Sequence, residues 1–381
     1  MSSGLKKILS FLFIALSITV VFFIAFSNED LSNAFDAIKQ MNLTWLACIF
    51  ACWLVYTVCD GLNYWFYLRG QGFKISIGRA VNVALIGFYY CNITPSSAGG
   101  QPMQVNSMRK AGIPVGYGTM AVTIRFITNQ TMTSLIALVL YLLNRDFVHQ
   151  QLAGAIWIVR IGWLINFAAV PLVLLAAFKR NWVQKFVEML INRLDKMHII
   201  RNKEAAISKV TEVLDTYHTA LLDLMHSPGQ ILLQFACSTL GLLSLFGTTV
   251  FVYYAFGLTG TPWYQILTIS SLLFVSASYT PLPGASGAQE GGFLLYFRDI
   301  FKDGTIGLAL LIWRFFTYYM FLIVGVGTVL NDKRLIRLEK KRRQAEERLS
   351  ATEPASGGQP EDEAGEKPEE PAEEPETPAD A

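Results

Sequence analysis

Charge is scarce in this sequence, and histidine is scarcer. Only 16% of the 381 residues are Asp, Glu, Lys or Arg, against about 25% in ordinary soluble domains. A soluble all-helical protein would need charged helix faces, which the long apolar runs do not supply. The four histidines, His149, His198, His218 and His226, fall outside those runs and keep no metal-binding or catalytic spacing. No G-x-x-x-x-G-K-[ST] segment occurs, so ATP-driven pumping by this chain is not expected. Cysteine is lacking from the loops: Cys48, Cys52, Cys59, Cys91 and Cys237 all lie in apolar segments, which argues against a disulfide framework. Cys48, Cys52 and Cys59 share one helix face, but without a histidine beside them they read as small packing residues rather than a metal site. No cofactor and no metal is expected.

Hydrophobic residues make up 52% of the chain. Several runs approach the ~20 residues that a helix needs to cross about 30 Å of hydrocarbon. Six full spans can be read, at 8–26, 44–68, 118–143, 152–178, 230–256 and 305–330. The first follows Lys6-Lys7 but is longer than a signal-peptide core, so it reads as a retained helix. Positive charge gathers in alternate loops: Arg69, Lys74 and Arg79, then Arg109 and Lys110, then eight Lys/Arg within 179–209, then the basic exit of the last span. By the positive-inside rule both termini face the cytoplasm.

Two segments are left over, 79–110 and 263–298. Each has an apolar half too short to cross, a Thr-Pro/Gly loop and a short second half ending at a basic residue. The loops read TPSSAGGQ (Thr94 to Gln101) and TPLPGASGAQE (Thr280 to Glu290), both opening on Thr-Pro and closing on small-Gly-small-Gln. The expected fold is therefore an all-α polytopic membrane protein with six full transmembrane helices. Two oppositely oriented re-entrant helical hairpins complete an inverted-repeat-like arrangement. Paired broken helices in opposed halves mark midplane binding sites in transporters. Proline ends the incoming half-helix, and glycine permits close backbone approach. The outgoing half-helices, beginning at Gln101 and Ala288, turn free N–H groups toward the midplane, an environment suited to phosphate.

Five ionisable residues lie inside apolar runs: Asp60, Arg125, Arg160, Glu290 and Arg314. Such residues are functional candidates by default. Arg125 continues inward through Asn129 and Thr133 on one face, and Arg314 sits near mid-depth. Arg160, between Trp157 and Trp163, fits an interfacial anchor or an ion pair. Asp60 is either an arginine's partner or a proton-coupling carboxylate. Glu290 caps its half-helix, balances an arginine or touches a cationic headgroup. The candidate headgroup site comprises Thr94, Pro95, Gly99, Gly100, Gln101, Arg125, Asn129, Thr280, Pro281, Pro283, Gly284, Gly287, Gln289, Glu290 and Arg314, with no catalytic residue assigned.

The first hairpin's Gly-Gly-Gln, the RFITNQ of the third span and PLPGASGAQEGG together resemble the lysylphosphatidylglycerol synthase transmembrane family, the flippase-like membrane half of the multiple peptide resistance factor. The resemblance covers roughly residues 5–330. Pro281, Pro283, Gly284, Gly287 and Glu290 match the family's Pro-x-Pro-Gly-x-x-Gly-x-x-Glu, and Arg125 matches the arginine usual after the first hairpin. It implies a lipid translocase of a bacterial inner membrane, moving an anionic or aminoacylated phospholipid such as lysylphosphatidylglycerol. The expected partners are that phospholipid, a separate synthase and a second copy of the chain; nucleic acid is not expected, because the basic residues stand where membrane topology already demands them. Alternatives are a membrane-embedded transferase on a lipid-linked substrate and a non-transporting partner of a synthase. Family members that transfer lysine carry a soluble domain after the membrane half. Here 51 residues follow Leu330, so lysyltransferase activity is not expected.

The domain organisation follows: a flippase-like transmembrane domain over 1–330, interrupted by a cytoplasmic amphipathic insertion at 179–227, a basic juxtamembrane helix at 331–350 and a disordered tail at 351–381. In the insertion, Val210, Val213, Leu214, Tyr217 and Leu221 share a helix face, which fits either anionic headgroups or packing on the bundle. From Glu353 to Ala381 the tail has 11 Asp/Glu, one Lys and six Pro, a composition that does not fold alone.

Overall fold

A computed structural model describes residues 41–179, 203–278, 280–301 and 305–332, with scattered positions between 182 and 193 and at 334 and 337. The span expected at 8–26, much of the insertion, most of the basic stretch and the acidic tail lie outside the described residues. Among the described residues all regular structure is helical. Five helices are long and apolar enough to cross a membrane: Leu43–Gly70 (α1), Val115–Leu143 (α4), Ile156–Leu175 within Ile156–Phe178 (α6), Pro228–Ala255 (α8) and Ile306–Asp332 (α11). They fall where the five later spans were expected.

The remaining helices are shorter. Ile77–Ile93 (α2) and Gly100–Lys110 (α3) form one hairpin, and Trp263–Ala277 (α9) and Ala288–Tyr296 (α10) another; Arg145–Gln151 (α5) and Lys203–Met225 (α7) connect larger elements. Local chemistry sets the ends. Asn42 accepts from the Thr44 N–H at 2.9 Å and Ser76 from the Arg79 N–H at 3.2 Å, so both helix starts have side-chain caps. Pro228 occupies the first turn of α8, where its missing N–H costs nothing. At 17 and 15 residues, α2 and α9 reach only about 25 Å, at 1.5 Å per residue.

The antiparallel pair α1 and α8 forms the spine. Gly241 lets the helices close: a Cβ there would sit 3.2 Å from the Cys59 Cβ, the small-residue packing common between membrane helices. Polar contacts fix the register, with Asn63 Nδ2 donating to Ser238 Oγ at 3.2 Å and Ser244 Oγ to the Cys52 carbonyl at 3.0 Å. Part of the apolar face of α7 packs on the bundle. Ala220, Leu221 and Leu224 are buried with Met108, Ile113 and Met120 against the bundle, and Tyr117 Oη donates to Asp223 at 3.3 Å.

The two hairpins are rooted at opposite ends of the bundle. The base of α2–α3 lies beside the end of α11: Asp332 Oδ1 accepts from Arg79 Nη1 at 2.6 Å, Ser107 Oγ at 2.8 Å and Asn82 Nδ2 at 3.4 Å. The base of α9–α10 lies at the other end, where Asn144 donates to Thr268 Oγ1 at 3.0 Å and Gln151 to the Tyr296 carbonyl at 3.2 Å. Arg79 is 5% exposed, so its charge depends on Asp332. Removing one partner of a buried pair costs about 3–5 kcal/mol, whereas replacing both with apolar groups is near neutral. Asp332→Ala is therefore expected to lower the melting temperature in detergent, and Asp332→Ala with Arg79→Met to recover much of the loss.

Candidate functional site

Proline stops α2 and opens the first loop, and the same device recurs in the second. Pro95–Ser97 and Pro283–Ala285 are both single 3-10 turns. In each, the two residues after proline are left-handed: Ser96 and Ser97 at φ 52° and 55°, Gly284 and Ala285 at φ 60° and 53°. The loops thus correspond from Pro95 with Pro283 to Gln101 with Gln289. The two extra residues of the second loop precede the turn, so the shared Thr-Pro opening is not the structural match. Every non-glycine residue of positive φ among the described residues lies in these two turns. Such backbone costs about 1–3 kcal/mol per residue and persists only where surroundings over-determine it.

The surroundings here are the two tips themselves. Ser96 N–H donates to the Pro281 carbonyl at 3.0 Å, joining one loop to the other. Thr94 Oγ1 donates to the Tyr90 carbonyl at 2.6 Å and accepts from the Gly99 N–H at 2.9 Å, closing the first loop on itself. Tyr318 Oη donates to the Asn92 carbonyl at 3.1 Å. Pro95 to Ala98, Pro281 and Leu282 are exposed, and irregular backbone that interrupts apolar helices needs partners of this kind. Close approach needs glycine at two points: a Cβ on Gly100 would lie 2.2 Å from Cys91 Sγ, and one on Gly284 2.1 Å from the Tyr318 ring.

Beside the tips lies a cavity of about 610 Å³, within the range of small-ligand sites. Its wall includes Ser96, Ser97, Gln101, Asn129, Gln289 and the two arginines, with Phe88, Phe246 and Phe321 among the apolar surfaces. The arginines differ. Arg314 is 1% exposed, and all three of its nitrogens are engaged: Nε with Glu290 Oε1 at 2.6 Å, Nη1 with Gln289 Oε1 at 2.6 Å, Nη2 with the Gly284 carbonyl at 3.0 Å. The Tyr318 ring stacks 4.7 Å from its guanidinium carbon. Glu290 also accepts from the Gly287 N–H at 2.6 Å. One ion pair thereby caps α10 and clamps the tip to α11, just before a π-helical turn at Phe315–Tyr319. Arg125 pairs with Asp60 Oδ1 through Nε at 2.6 Å and Nη2 at 2.5 Å, but its side chain stays 19% exposed.

Of the residues singled out by sequence, Gln101, Arg125, Asn129, Thr280, Gly284, Gln289 and Arg314 line the cavity. Thr94, Pro95, Gly99, Gly100, Pro281, Pro283, Gly287 and Glu290 stand outside its lining and shape the tips, and Asp60 stands behind Arg125. Arg160 is exposed on α6, apart from these groups. The site drawn from sequence left out Tyr56, Ser96, Ser97, Gln104, Gln130 and Tyr318, all in the wall, although Tyr56 stands beside Asp60 and Tyr318 beside Arg314 in the sequence reading. Tyr318 stands one turn beyond Arg314, and Gln130 adjoins Asn129, so helical spacing could have found both; Gln104 is brought in by packing alone.

A family model described as the lysylphosphatidylglycerol synthase TM region matches residues 8–325. The chain belongs to this family. A protein of Archaeoglobus fulgidus called a UPF0104 membrane protein is 25% identical over 304 residues, which is 76% of this chain and 90% of that protein. Like its family, the chain is a membrane protein, with several apolar helices.

The clamp predicts that Arg314→Ala, which strands the buried Glu290 carboxylate, lowers the melting temperature in detergent. Adding Glu290→Gln should restore part of it, because the stranded charge is then gone. Gly284 and Gly287 both have positive φ, but at Gly287 the nearest atom to an added Cβ is 3.8 Å away. Gly284→Ala is expected to destabilise more than Gly287→Ala in the same assay.

Proposed function

We propose that this chain is an integral membrane lipid translocase, flippase-like, that moves an anionic or aminoacylated phospholipid such as lysylphosphatidylglycerol between leaflets. The observation that carries the reading is the meeting of the two hairpin tips, Ser96 to Pro281 at 3.0 Å, beside a cavity walled by Arg125 and Arg314. On this reading α2–α3 and α9–α10 are re-entrant hairpins entering from opposite leaflets. With the helix at 8–26 there are six crossings, and both termini lie in the cytoplasm of a bacterium whose inner membrane holds the protein. The domains follow the sequence: a transmembrane domain to residue 330, the insertion at 179–227, a basic juxtamembrane helix and an acidic tail.

The cavity suits a headgroup rather than a whole lipid, whose acyl chains would stay between the exposed helix faces. The two half-helix N-termini are not equivalent. That of α10 is occupied by Glu290, and Arg314 is fully engaged, so both serve to hold the tip. That of α3 has no acidic residue in its first turn, and the partly exposed Arg125 lines the same cavity. Phosphate therefore goes to the α3 side, against Gln101, Arg125 and the Ser96–Ser97 turn, while Gln289 and Thr280 meet the substituent beyond it.

A membrane-embedded transferase and a silent partner of a synthase predict different outcomes in one assay. In proteoliposomes carrying labelled phosphatidylglycerol, its lysyl derivative or phosphatidylethanolamine, the expected result is leaflet exchange of the first two above protein-free vesicles. Product formation without exchange would favour the transferase, and absence of both the partner role. A hydrogen bond to a charged group is worth about 1.5–3 kcal/mol. Asp60→Asn with Arg125→Gln, which strands no charge, is accordingly expected to slow exchange roughly ten- to hundredfold. An unchanged rate would remove Arg125 from the site.

A further inference from the structure

The geometry points to a proton-uptake route ending at Asp60, so that one proton enters when an anionic headgroup occupies the cavity. This rests on the headgroup reading above and adds an energy source to it.

Asp60, Asn63 and Tyr67 lie on one face of α1, at i, i+3 and i+7. Opposite them α8 presents Gln230, Gln234 and Ser238 at i, i+4 and i+8, with Gln230 against Gly70 and Ser238 bonded to Asn63. Asp60, Asn63, Tyr67 and Gln234 are 3%, 2%, 0% and 0% exposed. Along this seam both amide atoms of Gln234, Asn63 Oδ1 and Asp60 Oδ2 have no hydrogen-bond partner in the protein, while Tyr67 turns its hydroxyl toward Tyr117, Tyr217 and Asp223. A buried polar group left so costs several kcal/mol in an apolar interior, and internal water making about three bonds is the usual remedy. On the proposed route, internal water joins Gln234, Asn63 and Asp60 in one file. It starts within a turn of the helix end at Gly70, which the proposed topology places in the cytoplasm. It covers about 10 Å along α1 from the level of Gln234 to Asp60, at 1.5 Å per residue.

The file stops at a carboxylate with one oxygen used and one unused. Oδ1 takes both contacts from Arg125, whereas Oδ2 takes none. The ionisable groups within electrostatic reach of Asp60 are Arg125 from α4, Tyr56, Cys59 and Tyr64 from α1, and Cys91 from α2. α8 contributes the neutral Ser238 through Asn63, and Gln104 comes from α3. Among these groups Arg125 is the only permanent cation.

The step balances. A hydronium at the helix end passes a proton along water and side-chain oxygens; an O–H bond forms at Asp60 Oδ2, and the donor water is left neutral. Neutral Asp60 no longer offsets Arg125, whose charge is met instead by the phosphate in the cavity. One positive and one negative charge have entered, and the site's net charge is unchanged. By linkage, phosphate raises the proton affinity of Asp60, and protonated Asp60 raises the affinity for phosphate by the same factor. Anion affinity therefore rises as pH falls through the titration of Asp60.

Calorimetry of the purified full chain with dihexanoyl phosphatidylglycerol, in two buffers of different ionisation enthalpy, counts the protons taken up. The expected result is about one proton per lipid, retained in Asp60→Glu and lost in Asp60→Asn. Binding without proton uptake by the wild type overturns the coupling while sparing the headgroup site. Absence of binding overturns both. The wild-type count decides the matter even if Asp60→Asn fails to fold. For the route itself, Gln234→Leu should keep the equilibrium proton count but slow lipid exchange driven by a pH gradient about tenfold. An unchanged rate assigns the proton another path.

Discussion

The pair between Arg314 and Glu290 fixes the second tip on α11, beside the buried packing of Phe293 on Trp313. Its 2.6 Å contact joins α11 to the start of α10, and the remaining valences of both groups fix the tip: guanidinium on the Gly284 carbonyl and Gln289, carboxylate on the Gly287 N–H. Each charge is tolerable at 1% exposure because the other is present. The left-handed backbone of the second turn and the flat Tyr318 ring over Gly284 follow from that anchoring. The turn in its place then offers the Pro281 carbonyl to Ser96, so the first tip depends on it in turn.

A second pair, Arg125 with Asp60, has the same chemistry and the opposite character. Where Arg314 spends every nitrogen on the fold, Arg125 faces one carboxylate oxygen and part of its side chain reaches the cavity. A buried ion pair is weak evidence of stabilisation but a good bistable element, since neutralising one member changes what the other seeks. The inverted likeness of the hairpins therefore stops short of symmetry. The turns after Pro95 and Pro283 share a backbone path, yet the position after the shared glutamine is Pro102 in one and Glu290 in the other. One half-helix keeps its electropositive end toward the cavity, and the other satisfies it internally.

The seam between α1 and α8 gives that asymmetry a context. Elsewhere the spine is closed by small residues, with Gly241 on Cys59, and by the hydrogen bond from Ser244 to the Cys52 carbonyl. Between Asp60 and Gly70 it carries Asp60 Oδ2, Asn63 Oδ1 and the Gln234 amide, atoms that the protein does not pair. Unpaired polar groups in an apolar interior are costly, and the proposed proton route would give these a use.

Length and polarity of the apolar runs determined five helices at the places the sequence predicts, because a buried or lipid-facing helix must satisfy its own backbone. The interruptions determined the hairpins: Pro, Gly and Ser at 94–101 and 280–290 cannot continue a helix. Ionisable residues within apolar runs named Asp60, Arg125, Glu290 and Arg314, since charge is not kept there without a partner. The tertiary structure decided which carboxylate answers which arginine, that Arg160 stands apart, and that α7 lies on the bundle. It also decided that the loops match from Pro95 with Pro283. Those outcomes turn on contacts between residues far apart in the chain, 226 positions for Tyr318 with Asn92 and 253 for Arg79 with Asp332, and on left-handed turns that no local residue preference demands of Ser96, Ser97 or Ala285. Pairing of this kind is settled by packing, because each group has several chemically equivalent partners along the chain and only one within reach.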